Sequence, residues 1–307
     1  FLRLGDEDDQ VKIYDVSDPH VPRLMHTLVP PSRDYILSLS WSPDGTLLAA
    51  GDDDYYLTVW ESPNAWLTVS QIVHETPIPG CSVDVTEVTD VTTGIGHPSD
   101  AGCFRLHSMK FSPDGSALAI ASGGSDSRCE GWPEDPEVCT ANKNVVLIYE
   151  VAGWTLEHKL DPPLGDDYVT GVAWSPDGSQ LVAGDEDESI TVWKTDDWTE
   201  IISFIGCPGD CENVGYAPNG QFIAATTGYG HLVTYSTGTW ERLMNATVTM
   251  YSWMDGGGIH GLAISPDSST LLVGTDTFDI TAESPCFCCD SSCLGDETYD
   301  DTKFQPV

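Results

Sequence analysis

A chain of 307 residues that is 40% apolar and carries 10 Trp, 11 Tyr and 8 Phe has ample material for a packed core and is not globally disordered. Its 49 Asp and Glu against 12 Lys and Arg leave a formal charge of −37, which repels phosphate backbones and anionic lipid, so nucleic acid is not an expected partner. No apolar run approaches the length of about 18 residues that a membrane helix needs, so no membrane insertion is expected.

The chain opens in the middle of a repeat. FLRLGDEDDQVKIYDV at the start aligns with QLVAGDEDESITVWKT from Gln180, which predicts a second strand at Phe1 to Gly5 and a third at Val11 to Tyr14, with no first strand before them. Phe1 in place of Met is read as either a removed leader or a start inside a longer chain. From Ser40 onward one phrase recurs: SWSPDGTLLAAG, then KFSPDGSALAIAS from Lys110, AWSPDGSQLVAG from Ala173, GYAPNGQFIAAT from Gly215 and AISPDSSTLLVG from Ala263. Each copy reads as an apolar strand, a Pro-Asp-Gly type of reversal and a second apolar strand, which is a β-hairpin. The shortest spacing between turn prolines, 42 residues from Pro176 to Pro218, matches the period of about 40 to 45 residues of a four-stranded repeat unit.

After each hairpin a third strand ends on an aromatic residue, at Trp60, Tyr149, Trp193 and Tyr235. Five or six residues later Trp66, Trp154, Trp198 and Trp240 open a fourth strand, and their regular placement predicts packing between the third and fourth strands rather than a ligand-stacking platform.

The longer intervals hold insertions at 74–105, 122–144 and 283–300, and most of the ten cysteines sit in them. Cys81 falls with Cys103, Cys129 with Cys139, Cys207 with Cys211, and Cys286, Cys288, Cys289 and Cys293 form a fourth cluster. The spacings in CPGDC and CFCCDSSC do not match paired C-x-x-C zinc ligands, and no His stands nearby, so local disulfides are expected. Disulfides imply an oxidising compartment, extracellular or on the cell surface. Asn245-Ala246-Thr247 fits the N-glycosylation pattern and makes Asn245 a candidate acceptor. The turns GDEDDQ, GDDDYY, GDEDES and GTDTFD repeat carboxylates that could hold Ca²⁺, although none matches an EF-hand loop and Asp and Gly are ordinary turn residues.

At the other end, TKFQPV over 302–307 reads like MKFSPD from Met109, a first strand that would complete the blade opened by the N-terminus. That strand closes either its own ring, removing the exposed edges, or a neighbour's. Ser175-Pro-Asp-Gly, followed by Ala183-Gly-Asp-Glu-Asp and Thr191-Val-Trp, resembles the hairpin, turn and third strand of the WD-repeat family. The family's Gly-His pair is absent, and its Trp-Asp dipeptide stands here as Tyr14-Asp15, Trp60-Glu61, Tyr149-Glu150 and Trp193-Lys194. The resemblance implies an all-β fold, a single β-propeller over 1–307 with about six four-stranded blades.

No phosphate loop, H-E-x-x-H pair or G-x-S-x-G elbow is present, so catalysis is not expected. His107 and His260 share a register near the start of a first strand and read as structural. The second-to-third turns and the connections between blades emerge on one face of a propeller, where the insertions mostly fall, which points to a contact surface. The expected function is a non-catalytic, secreted interaction or structural module that meets a protein partner or self-associates, as in an extracellular filament or surface layer. The alternative class is a secreted metal-dependent hydrolase or lyase acting on a polysaccharide or lactone.

Overall fold

The computed structural model describes residues 2–3, 10–18, 20–30, 35–52, 56–61, 67–73, 105–123, 144–164, 167–248 and 259–275. Within them the chain forms 21 strands arranged as six antiparallel sheets in chain order. The first sheet, blade A, holds β1 (Leu2–Arg3), β2 (Val11–Asp15) and β3 (Arg23–Leu28). Blade B follows with β4 (Ile36–Trp41), β5 (Leu47–Asp52), β6 (Tyr56–Glu61) and β7 (Leu67–Val73). Blade C has β8 (Arg105–Phe111), β9 (Ala117–Gly123), β10 (Asn144–Glu150) and β11 (Thr155–Leu160). Blade D has β12 (Val169–Trp174), β13 (Gln180–Asp185), β14 (Ser189–Lys194) and β15 (Glu200–Ile205). Blade E has β16 (Cys211–Tyr216), β17 (Phe222–Thr227), β18 (His231–Ser236) and β19 (Arg242–Thr247), and sheet F pairs β20 (Ile259–Ile264) with β21 (Leu271–Thr275). No helix among the described residues is long and apolar enough to cross a membrane.

Blades B to E are four-stranded meanders, as the repeat predicts, and blade A contains the expected second and third strands and an outer one. The strand predicted over 302–307 and the insertions at 74–105, 122–144 and 283–300 lie outside the described residues, except that Arg105 opens β8, Ser122 and Gly123 end β9 and Asn144 opens β10.

The Ser-Pro-Asp-Gly phrase folds the same way each time. In blade D the Ser175 hydroxyl donates to Asp177 at 2.6 Å and accepts the amide of Gln180 at 2.9 Å, while Asp177 accepts from the Ser179 amide at 3.0 Å. Gly178 completes the reversal at φ 72, a left-handed value that costs glycine little. Ser42 with Asp44, Ser112 with Asp114 and Ser265 with Asp267 repeat the arrangement at 2.6 Å.

Four apolar seams between successive blades form the core of the described residues. Val11, Ile13 and Leu28 of blade A meet Ile36, Leu48 and Trp60 of blade B. Leu57 and Val59 meet Met109, Leu118 and Tyr149 at the B–C seam; Val146 and Ile148 meet Val172, Leu181 and Trp193 at C–D; and Ile190 and Val192 meet Val214, Ile223 and Tyr235 at D–E. Third strands therefore bury both faces: Val145, Leu147 and Tyr149 point one way and Val146 and Ile148 the other. This is why NVVLIYE is a continuous apolar run and not an alternating one.

The repeated tryptophans pack differently from the expectation. Trp154, Trp198 and Trp240 sit in the turn before the fourth strand at φ 53, 57 and 57. Trp198 lies edge-on to Trp174 of its own first strand, with centroids 6.0 Å apart, and 5.2 Å from His158 on the outer strand of blade C. Trp154 meets Phe111 in the same edge-on way at 6.5 Å. The indoles thus wedge the seam toward the preceding blade, and that contact is what holds a bulky residue in a left-handed turn that otherwise costs about 1–2 kcal/mol.

Candidate functional site

Hydroxyls and ring donors stitch the seams. Ser38 and Ser40 accept the amides of Met109 and Phe111 at 2.9 and 3.3 Å, and Trp174 donates its indole N–H to the Lys110 carbonyl at 2.9 Å. At D–E, Thr170 donates to the Cys211 carbonyl and Tyr216 to the Gln180 side chain at 2.9 Å; at E–F, Thr226 donates to the Ile259 carbonyl at 3.0 Å. Gly171 lets β12 and β16 approach: a Cβ there would stand 2.8 Å from the Val214 nitrogen. The first-strand serines of SLSW were the visible signal for two of these stitches, but in sequence that segment reads only as an apolar strand.

The insertion-bearing face is best defined where blades D and E meet. The β13–β14 turn, the β15–β16 connection and the β17–β18 turn converge there with the segment preceding β12. Cys207 and Cys211 are joined by a disulfide with Cα atoms 5.6 Å apart, and both residues are buried in the D–E seam. The other eight candidate cysteines, Cys81, Cys103, Cys129, Cys139, Cys286, Cys288, Cys289 and Cys293, lie outside the described residues. Gly209, inside the disulfide loop at φ 110, passes under the Tyr229 ring so closely that a Cβ would overlap a ring carbon. Tyr229 itself is 65% exposed.

Carboxylates cluster on this face around Asp210, the residue that follows Gly209. The Asp167 amide donates to Asp187 at 2.8 Å, and Glu212 lies against Gly228. Burial, followed by repulsion from Glu212, Glu188 and Asp167, raises the Asp210 carboxyl above its ordinary range. Asp185 is 1% exposed and bonds back to the amide of Ser189 at 2.9 Å and to its hydroxyl. Burial raises its pKa first, and nearby Asp187 adds to the rise.

The GDEDES turn therefore uses its first Asp to close itself. In blade E the Thr227 hydroxyl does the equivalent work, accepting the amides of Tyr229 and His231 at 3.3 and 3.1 Å, so the turn needs an acceptor and not a charge. Among the described residues no three His, Cys, Asp or Glu side chains are grouped to hold a metal ion. His107 stacks at a tilt 5.8 Å from Tyr168, whereas the His260 side chain is outside the described residues. Asn245 is exposed on β19, the outer strand of blade E.

Six antiparallel sheets following one another in chain order, the first five joined by four apolar seams and the last reached where β16 and β17 meet β20, define a β-propeller. Residues 22–61 and 154–194 match the family model described as WD domain, G-beta repeat. Each matched stretch runs from the end of one blade through the third strand of the next, so the sequence repeat straddles a seam. Those two stretches carry WD repeats, and the likeness extends to WD-repeat relatives. It is similar to telomerase protein component 1 of Mus musculus, at 22% identity over 92% of this chain and 12% of that protein. It is also similar to protein HIR1 of Cryptococcus neoformans, at 26% identity over 73% of this chain and 23% of that protein. Protein FIZZY-RELATED 2 of Arabidopsis thaliana is 26% identical over 79% of this chain and 48% of its own length. The chain thus spans from about an eighth to about half of these relatives.

Proposed function

We propose that this chain is a non-catalytic interaction propeller, secreted or displayed on a cell surface, that meets a protein partner or further copies of itself through its insertion-bearing face. The Cys207–Cys211 disulfide carries the reading: it fixes the blade D to blade E connection from within the seam and supports an oxidising setting. Directly beside it, exposed Tyr229 and the carboxylates of Asp210, Glu212, Glu188 and Asp167 offer an aromatic anchor next to an acidic cluster, a chemistry suited to a basic peptide surface. The relatives support an assembly role, since one is named as a component of telomerase.

Peptide mapping of the native, never-reduced protein tests the setting: Cys207 and Cys211 are expected in one bonded peptide pair, and free thiols would overturn a secreted location. Electron microscopy of the same sample tests self-association. Ordered filaments or sheets are expected if copies join; dispersed discs would leave a separate protein partner and remove the structural role.

A further inference from the structure

Asn245-Ala246-Thr247 is the single Asn-x-Ser/Thr sequence in the chain. The structure places it on β19, the outermost strand of blade E, which pairs on one side with β18 and presents its other edge outward. Asn245 and Thr247 are both exposed, and two residues apart on an extended strand they share a face. The Thr247 hydroxyl is held 3.3 Å from Nδ1 of His231, its cross-strand partner. The Asn245 amide has no hydrogen bond among the described residues. The same strand exposes Leu243, at 61%, and Met244. An open outer strand with exposed apolar side chains is the feature that promotes unwanted strand pairing.

We infer that Asn245 carries an N-linked oligosaccharide and that this glycan covers the rim of blade E, leaving the insertion-bearing face as the contact surface. The inference rests on the secreted setting proposed above. In the modification the Asn245 side-chain nitrogen loses a proton and bonds to the first sugar carbon of a lipid-diphosphate-linked oligosaccharide; the sugar–phosphate bond breaks and the lipid diphosphate departs. Among the described residues the fold leaves it open: the acceptor is exposed on the outer strand, and Met244 and Ala246 beside it are not part of the D–E core.

The test is a peptide map of the full chain secreted from a eukaryotic cell, treated with amidase that releases N-glycans in ¹⁸O water. Asn245 is expected to convert to labelled Asp, with a fall in mass of one oligosaccharide per chain, and Asn245→Gln is expected to abolish that fall while Thr247→Ser retains it. An unmodified Asn245 overturns the inference. The state of Cys207 and Cys211, read in the same map, separates its failure from that of the setting: bonded cysteines with bare Asn245 remove the glycan alone, and free thiols with bare Asn245 remove both.

Discussion

The two faces of blade D use the same pair of residue types in opposite ways. On the hairpin-turn face, Asp177 accepts from Ser175 and Ser179 at the surface, and these bonds hold its carboxyl below the ordinary range. On the insertion-bearing face, Asp185 accepts from Ser189 while buried, and loss of water raises its carboxyl above that range. One aspartate is stabilised as an anion by its neighbours; the other is kept as an acceptor despite its charge. The hairpin face is therefore regular and repeated from blade to blade, whereas the other tolerates the substitution of Thr227 for Asp and the growth of a disulfide loop.

The largest effect is expected where blades touch. Gly171→Val drives a side chain into the β16 backbone and is expected to cost about 3 kcal/mol or more by overpacking, read as a lower denaturant midpoint. An unchanged midpoint would show that β12 and β16 do not approach as described. Asp185→Ala comes next, at about 2–3 kcal/mol, because it leaves the buried Ser189 amide and hydroxyl without their acceptor. Asp185→Asn keeps an acceptor and removes the charge, as Thr227 does in blade E, so it is expected to be nearly neutral; a large loss would restore a role for the charge itself.

Removing the Cys207–Cys211 bond by paired Ser substitution is expected to cost about 2 kcal/mol, the chain-entropy value for so short a loop. The matching change on the other face, Asp177→Ala, is expected to cost about 1 kcal/mol or less, since water replaces the lost partner. If Asp177→Ala proved as damaging as Asp185→Ala, burial would not be what separates the faces.

Much of this contrast was legible before the structure. The hairpins followed from Ser-Pro-Asp-Gly, and the strands β1 and β2 of blade A from the alignment of its opening residues with Gln180 onward. What the sequence left open was which neighbour each side chain serves. The spacing of Trp154, Trp198 and Trp240 announced a repeated contact but could not show that the indole turns into the seam toward the preceding blade, because periodicity within a strand carries no information on how sheets stack. The acidic turns likewise advertised carboxylates without showing that Asp185 folds inward, a fact set by the depth of the second-to-third turn.

The smallest expected effect is also the most diagnostic, because the two faces should titrate with opposite signs. Asp44, Asp114, Asp177 and Asp267 have carboxyls lowered first by a hydroxyl bond, Asp267 to about 2. Their contribution is present above the unfolded value of about 4 and is lost as pH falls through the lowered values. Asp185 and Asp210 are raised, so their ionised forms disfavour the fold; that penalty is absent below about pH 4 and grows as pH rises through their folded values. Stability should therefore pass through a shallow maximum in mildly acidic buffer, read from urea midpoints across pH. Asp185→Asn should flatten the neutral side of that curve and leave the acid side alone, whereas Asp177→Asn should do the reverse; a single variant that altered both sides would mean that the two faces are coupled through the blade.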